Sequence, residues 1–196
     1  MELKELINFI KITHHFQQLK RTVFATGENR MENDSEHSFQ LALVGWYLVS
    51  SQKLKLNPDK VLKYGLVHDL VEIYSGDVDF FKQSAKISQL KKKREEKAVK
   101  KLKRNFSEFA DLHKSIHTYE QKKDKESKFI YALDKILPMI NIYLDSGKTW
   151  KMKKITLKTL INGKNDKVAV DAKIHAYFKD LVKILQRKER SLFANR

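Results

Sequence analysis

The scarcity of helix-breaking residues is the feature that most limits what this chain can fold into. Only six glycines and two prolines occur in 196 residues. Apolar residues recur at spacings of three and four, the period of an amphipathic helix, and no segment shows the two-residue alternation of a strand. The sequence therefore predicts an all-α fold. We expect one domain over residues 1–196, with the candidate functional residues in a core at about 5–146 and C-terminal helices at 147–196.

Local signals set several of the expected helix boundaries. A helix should open at Pro58 and run to about Ile73, because proline is favoured in a first helical turn. Pro138 should kink or interrupt a later helix over residues 125–146. The segment INGKND, which contains Gly163, is predicted to form a turn between two C-terminal segments.

The composition limits the chemistry that a site in this chain can use. The chain has no cysteine, so disulfides and thiolate metal sites are excluded, and a metal would need His, Asp or Glu ligands. No apolar stretch approaches the roughly 20 residues that span a bilayer. The N-terminal segment MELKELINFIKITHHF lacks the unbroken apolar stretch of a signal peptide. We therefore expect no membrane partner and a cytoplasmic location.

The positive charge of the chain is concentrated in two segments. The formal net charge is +16; residues 82–128 carry 16 Lys and Arg against 7 Asp and Glu, and residues 148–196 carry 14 against 4. The remainder, with 10 bases against 13 acids, contains His37, His68, Asp69 and Asp134, the main candidate ligands discussed below. A basic surface attracts anions such as nucleotides, nucleic acid or acidic lipid headgroups. An ordinary solvated surface is the simpler explanation of the same composition.

Two histidines and two aspartates form the most informative polar set. His68 and Asp69 are adjacent within YGLVHDLVEIYSGD, His37 lies upstream at the start of a predicted helix, and Asp134 lies within the otherwise apolar ALDKIL. Such donors can hold a divalent cation and leave positions for water and a substrate oxygen. Glu72, one helical turn beyond the His-Asp pair, could act on that water as a general base or acid. Convergence of the four would indicate a metal-dependent hydrolase.

Simpler explanations of these residues stay open at this point. His68 and Asp69 also fit a polar helix end with ordinary caps and salt bridges. A lysine could serve as the partner that a buried Asp134 needs, as well as a metal could. His113 and His117 form a rival pair at the spacing that chelates an ion on a helix, but the Glu of an HExxH motif does not accompany them. Surface or structural histidines explain that pair more simply.

The order and spacing of the first set resemble the HD-domain phosphohydrolase superfamily, which is named for its H…HD…D pattern. The similarity is greatest to the 5′-deoxynucleotidase-like branch, whose members remove phosphate from deoxynucleoside monophosphates. It rests on the segments ENRMENDSEHSFQLAL, YGLVHDLVEIYSGDV and ESKFIYALDKI, and it covers roughly residues 5–146. The resemblance implies a helical HD-domain bundle, a metal-dependent 5′-nucleotidase activity and a homodimer.

The resemblance also implies roles for the motif residues. His37, His68, Asp69 and Asp134 would bind the divalent cation. Members of the branch use cobalt or manganese in assays, so the metal could be Co, Mn, Zn or Mg. Glu72 would activate or position the attacking water.

Three further positions would contact the substrate. Asp77 would lie near the sugar hydroxyl or the leaving oxygen. Arg30 matches the family's phosphate-contacting arginine in position, whereas Arg21 aligns only with a one-residue shift but is the better phosphate candidate. The family's deoxynucleotidases have a tryptophan after that arginine, and Thr22 stands here, so strict selectivity for deoxyribose does not follow.

Two other functions compete with this one. Other HD proteins hydrolyse nucleoside triphosphates, cyclic dinucleotides or alarmones. Alternatively, the basic segments at 91–104 and 148–158 could bind nucleic acid, and any metal would then have a purely structural role. Aromatic residues are not interleaved with the bases at 91–104 as a stacking surface requires. We therefore expect a small-molecule nucleotide as partner rather than a nucleic acid.

Overall fold

A computed structural model of the protein describes residues 2–76 and 85–194. In chain order its elements are α1 (Leu3–Gln18), β1 (Lys20–Phe24), β2 (Met31–Asn33), α2 (Asp34–Ser51), α3 (Pro58–Val67), α4 (Glu72–Ser75), α5 (Ala85–Asn105), α6 (Ala110–Gln121), α7 (Lys125–Leu144), α8 (Lys148–Met152), α9 (Leu157–Val168), α10 (Ala172–Arg187) and α11 (Glu189–Leu192). The predicted all-α fold is confirmed. None of the helices in this described part combines the length and apolar character that a bilayer crossing requires.

Two hydrophobic cores hold the helices together. The larger core lies around α7, where Phe129 and Ile130 are fully buried, and it extends to Trp150 of α8 and to the apolar faces of α9 and α10. The smaller core joins α1, α4, α5 and α6 around Phe16 and Leu102. The α2–α3 pair packs on α7, and the start of α2 and the end of α3 lie beside the middle of α7.

The contact between α2 and α3 is so close that a glycine is needed there. A Cβ atom on Gly65 would lie 2.6 Å from the Cα atom of Ala42, a distance that real Cβ contacts do not show. This approach brings the end of α3 beside the start of α2. The ring centroids of His37 and His68 are consequently only 5.2 Å apart.

A short hairpin connects α1 to α2. Strand β1 pairs antiparallel with β2, with Lys20 opposite Asn33 and Phe24 opposite Met31. The loop between the strands contains Gly27 at φ +79°, a conformation that favours glycine. Nothing in the sequence indicated this hairpin, because strands of five and three residues are too short to produce a clear alternation.

The third helix ends earlier than the predicted Ile73. Helix α3 ends at Val67, and the N–H of Leu70 donates to the carbonyl of Val67 at 3.1 Å, three residues back instead of four. The Nδ1 atom of His68 donates to the carbonyl of Gly65 at 3.0 Å, an acceptor that a continuing helix would use. The chain therefore leaves the regular helix at the His-Asp pair.

Two helix-breaking residues lie inside helices. Helix α7 continues through Pro138, so the proline does not interrupt it, and α9 continues through Gly163, so the predicted turn was wrong. Burial explains both cases. Leu160 and Val168 flank Gly163 on the buried face of α9, and packing of that face outweighs the roughly 1 kcal/mol cost of a helical glycine. Leu137, beside the proline, is likewise buried.

The α2–α3 contact leads to a first testable expectation. The substitution Gly65→Ala should lower the free energy of unfolding by about 1–3 kcal/mol, because the added methyl group would push α3 away from Ala42. Urea denaturation followed by circular dichroism measures this change. Leu66→Ala is the matched control, since Leu66 lies on the same helix and is 50% exposed. Equal stability of Gly65→Ala and the wild type would contradict the close packing of α2 and α3.

Candidate metal centre

The start of α2 is held by a capping box that directs His37 into the protein. The side chain of Asn33 accepts a hydrogen bond from the N–H of Glu36 at 2.9 Å, and the Glu36 carboxylate accepts one from the N–H of Asn33 at 3.0 Å. His37 then lies in the first turn and is fully buried. One turn later, Gln40 and Asn141 exchange two side-chain hydrogen bonds, at 3.2 and 2.7 Å. These bonds align α2 with α7.

The four predicted metal ligands lie together. The Nε2 atom of His37 is 3.0 Å from Oδ1 of Asp134, and Nε2 of His68 is 2.9 Å from Oδ2 of Asp69 and 3.8 Å from Oδ1 of Asp134. Potential ligand atoms of His37, His68 and Asp69 all lie within 4.8 Å of one another. The four side chains come from α2, from α7 and from the turn after α3. Their potential ligand atoms thus converge on one buried point.

The protonation states of three of these residues, His37, Asp69 and Asp134, suit a metal. Burial lowers the pKa of His37 to about 4, with a further contribution from the positive charge of Arg21, so its ring is neutral at pH 7. Burial alone would raise the pKa of Asp69 and Asp134, but His68 lowers the first and Lys135 the second, so both are ionised. Neutral imidazole and ionised carboxylate are the forms that bind metal ions.

The environment of His68 indicates that a positive charge is favoured at this point. Its Nδ1 atom is bound to the carbonyl of Gly65, which leaves Nε2 facing the two carboxylates. That Nε2 atom is buried and lies 2.9 Å from Oδ2 of Asp69. Burial would lower the pKa of His68, but Asp69 and Asp134 outweigh it and raise the pKa. The same carboxylates would favour a divalent cation, and the donor set fits one.

Arg21 of β1 links the hairpin to the metal ligands. Its guanidinium lies 3.0 Å from Glu32, 3.3 Å from Asp34 and 3.0 Å from Oδ2 of Asp69. Although burial opposes the charge, these acids and Asp134 raise the pKa of Arg21, so it stays protonated. The phosphate candidate favoured from the sequence therefore lies directly beside a metal ligand.

Sequence reasoning missed two acids of this network, Glu32 and Asp34. Both are buried, and Oε2 of Glu32 lies 3.8 Å from Nδ1 of His37. Burial raises the pKa of Glu32 above its usual range. The run of acids in MENDSEH, just before His37, was the available signal, but it also fits an ordinary helix cap, which part of the run provides.

Asp134 has a lysine as a partner, one of the two kinds that the sequence left open. The ammonium group of Lys135 contacts its Oδ2 atom, while its Oδ1 atom faces His37 and His68. A lysine therefore neutralises one side of the carboxylate, and the other side remains directed at the ligand set.

The other predicted site residues lie in different surroundings. Glu72 is buried at the start of α4, one turn beyond the His-Asp pair. Arg30 is on the surface, with a side chain 48% exposed, and it pairs with Glu28 and Glu36. The structure thus brings Arg21, but not Arg30, to the metal ligands. Asp77 lies outside the described residues.

The rival pair of histidines has other partners. The Nε2 atom of His113 donates to the carbonyl of Phe106 at 2.6 Å. His117 lies beside the side-chain amide of Gln121, also at 2.6 Å. These contacts are what ordinary structural and surface histidines make.

Comparison with known proteins gives consistent matches. The family model for the HD domain matches residues 14–174. The chain is similar to the 5′-deoxynucleotidase HDDC2 of Homo sapiens, with 27% identity over 136 residues that cover 67% of this chain and 63% of the human protein. HDDC2 of Mus musculus is 28% identical over 135 residues, which cover 66% and 64%. The match thus spans less than two thirds of the length of these relatives.

Solved structures agree with these matches. A predicted metal-dependent phosphohydrolase from Magnetospirillum magnetotacticum MS-1 has a TM-score of 0.80, 25% sequence identity and coverage of 98% of both chains. A conserved hypothetical protein from Pyrococcus furiosus has a TM-score of 0.64 at 18% identity, with coverage of 92% of this chain and 99% of that one, and shows likeness of fold alone. The resemblance indicated by the sequence motifs is confirmed.

Divalent cations should stabilise the folded protein. A ligand that binds only the folded state at 100 times its Kd adds about 2.7 kcal/mol to the free energy of unfolding, so Mn²⁺ should raise Tm and a chelator should reverse the rise. Asp134→Asn should remove most of the shift, because it removes one of the four donors. Asp111→Asn, which changes an acid with a side chain 55% exposed, is the control. A full Mn²⁺ shift in Asp134→Asn would contradict the assignment of the site.

Proposed function

The chain belongs to the HD domain family, and we propose that it is a metal-dependent phosphohydrolase whose substrates are nucleoside 5′-monophosphates, deoxynucleotides included. The convergence of His37, His68, Asp69 and Asp134 at one buried point, with Arg21 beside it, is the observation that carries this proposal. The names of the 5′-deoxynucleotidase relatives support the substrate class.

Each residue contributes a separate step to the proposed hydrolysis. A divalent cation, when bound by the four ligands, supplies Lewis-acid activation of water and neutralises phosphate charge. Arg21 binds the phosphate oxygens with guanidinium N–H groups that extend beyond its ion pair with Asp69. Glu72 accepts a proton from the attacking water and orients it toward phosphorus. Cleavage of the phosphoester bond then yields the nucleoside and inorganic phosphate.

Selectivity for the sugar depends on two other positions. Asp77 is proposed to hydrogen-bond to the sugar. Thr22 follows Arg21 at the position where deoxynucleotidases of the family have a tryptophan. A threonine cannot cover the sugar as an indole ring does, so we propose that ribonucleotides and deoxynucleotides are both accepted.

Several broader features belong to the same proposal. We propose that residues 1–196 form one domain, that two copies assemble into a homodimer, and that the protein acts in the cytoplasm. The formal net charge of +16 supports an anionic substrate, because a positive surface raises the local concentration of nucleotides and their rate of encounter.

A panel of nucleotides and metals tests the activity. Purified protein should release phosphate from dAMP, dGMP or dTMP, and from AMP, when Co²⁺, Mn²⁺, Zn²⁺ or Mg²⁺ is supplied, and a colorimetric phosphate assay measures the release. Asp69→Ala should abolish it, because the substitution removes a metal ligand and a partner of Arg21. Asp111→Ala should retain it. Full activity of Asp69→Ala would refute the proposal.

The role of Glu72 makes a separate prediction. Glu72→Gln keeps the size of the side chain but removes its ability to accept a proton, so kcat should fall by roughly 10²–10⁴-fold. The Mn²⁺ affinity, measured by titration calorimetry, should change much less. A loss of Mn²⁺ affinity as large as the loss of kcat would instead make Glu72 a metal ligand.

A further inference from the structure

Helix α2 is apolar on two sides. Its buried side packs on α3 and α7. A second apolar stripe, at positions i, i+4, i+7 and i+8 of the helix, points to solvent, and its side chains are 46–66% exposed. This stripe, the α2 face, consists of Phe39, Leu43, Trp46 and Tyr47. A helix that is apolar all round is normally buried all round. The described residues leave this side of α2 largely uncovered.

Helix α3 extends the exposed surface beside the α2 face. The two helices run antiparallel, because the start of α2 lies beside the end of α3. In an antiparallel pair, the residues that directly follow two facing positions turn to the same side. Leu43 and Leu66 follow the facing residues Ala42 and Gly65. Both therefore point to the same solvent side, and Leu66 borders the α2 face.

Helix α1 packs against α2 and carries an exposed apolar stripe of its own. The stripe lies opposite Ile12 and Phe16, which α1 buries in the smaller core. This α1 stripe consists of Leu3, Leu6, Ile7 and Ile10. Fifteen large apolar side chains are exposed in the described part of the chain, and nine of them belong to the two stripes and Leu66. The exposed apolar surface is thus concentrated on α1, α2 and α3.

The same three helices are electrically neutral. They carry four lysines and four acids in a chain whose formal net charge is +16. An acidic lipid surface or a nucleic acid would be attracted to the basic segments instead. Two copies of so positive a protein repel each other, and a neutral surface is where they can approach most closely. The charge distribution therefore favours a second copy of this chain as the partner of the apolar surface.

The area of the surface agrees with such a partner. At roughly 200 Å² for a fully accessible large side chain, the α2 face and Leu66 expose about 550 Å² and the α1 stripe adds about 400 Å². The largest apolar patch on a typical monomer is only about 300–600 Å². Each partner in a stable protein interface buries roughly 800 Å². Three of the four residues in the α2 face are aromatic, a type that is enriched at interfaces.

We propose that the α2 face, with Leu66 and the α1 stripe at its edges, is the surface through which two copies of this chain pair about a two-fold axis. This assigns a surface to the homodimer of the proposed function and rests on none of its hydrolytic chemistry. Helix α2 also presents His37 to the metal ligands from its buried side. Pairing would therefore hold this helix from both sides.

Sedimentation velocity tests the interface. At micromolar concentrations the wild type should sediment with twice the 23.1 kDa mass of one chain. Leu43→Glu should weaken self-association by roughly thirtyfold or more, because each copy would bury an unpaired carboxylate in an apolar contact. Ile184→Glu is the matched control, since Ile184 is 39% exposed on α10 and both substitutions lower the net charge equally. The control should remain a dimer.

Two further measurements do not depend on the folding of Leu43→Glu. Tyr47→Ser, at the most exposed position of the α2 face, should also weaken the dimer. Added NaCl should leave the wild-type dimer as tight or tighter, because salt screens the repulsion between two positive copies and does not weaken a neutral contact.

Several outcomes would overturn the interface. They are a wild type that stays monomeric at every concentration, a folded Leu43→Glu that pairs as the wild type does, and a dimer that dissociates when salt is added. A monomer that binds vesicles of phosphatidylserine and phosphatidylcholine, and loses this binding in Leu43→Glu, would assign the α2 face to lipid instead. A monomer that hydrolyses nucleotides would overturn the interface alone. A dimer of the expected kind without hydrolysis would support the interface and refute the proposed activity.

Discussion

The buried acids of this protein can lie together only because positive groups are packed among them. Arg21 lies within 3.0–3.3 Å of Glu32, Asp34 and Asp69. Two like charges 4 Å apart repel by about 4 kcal/mol at an effective dielectric constant of about 20, so without the guanidinium some of these acids would have to bind protons. The planar fork of arginine suits several acceptors at once. Arg21 of the short strand β1 thus lowers the pKa of Glu32 and of Asp69, although burial has the larger effect at both and His68 lowers the pKa of Asp69 more strongly.

Contacts between the helices fix the relative positions of the candidate metal ligands. The glycine contact between α2 and α3 brings His37 and His68 together, and the paired amides of Gln40 and Asn141 align α2 with α7. The departure from regular helix after Val67 belongs to the same arrangement, because the ring of His68 takes a backbone acceptor there. The elements that carry the four candidate ligands are therefore positioned by packing and by hydrogen bonds other than those among the four side chains.

The residues that could be predicted from the sequence are those whose chemistry stands out from their surroundings. Histidine and aspartate residues within apolar helical segments indicated the candidate metal ligands. The scarcity of glycine and proline indicated the helical fold. Local patterns could not predict the hairpin, whose strands are short, or the helix through Gly163, which tertiary burial stabilises. Glu32 resembles an ordinary surface acid in the sequence. Only the fold shows that it lies beside His37, 3.8 Å from its ring.

The balance of charge at the centre also couples metal and substrate. Without a cation, the acids Glu32, Asp34, Asp69 and Asp134 outnumber the positive groups Arg21 and Lys135, so a phosphate dianion would be repelled. A bound divalent cation would offset two of those negative charges, so that an anion such as phosphate could bind beside Arg21. Because such coupling is reciprocal, phosphate must strengthen cation binding by the same factor. A centre built largely from acids can therefore receive an anion, provided that metal and phosphate bind together.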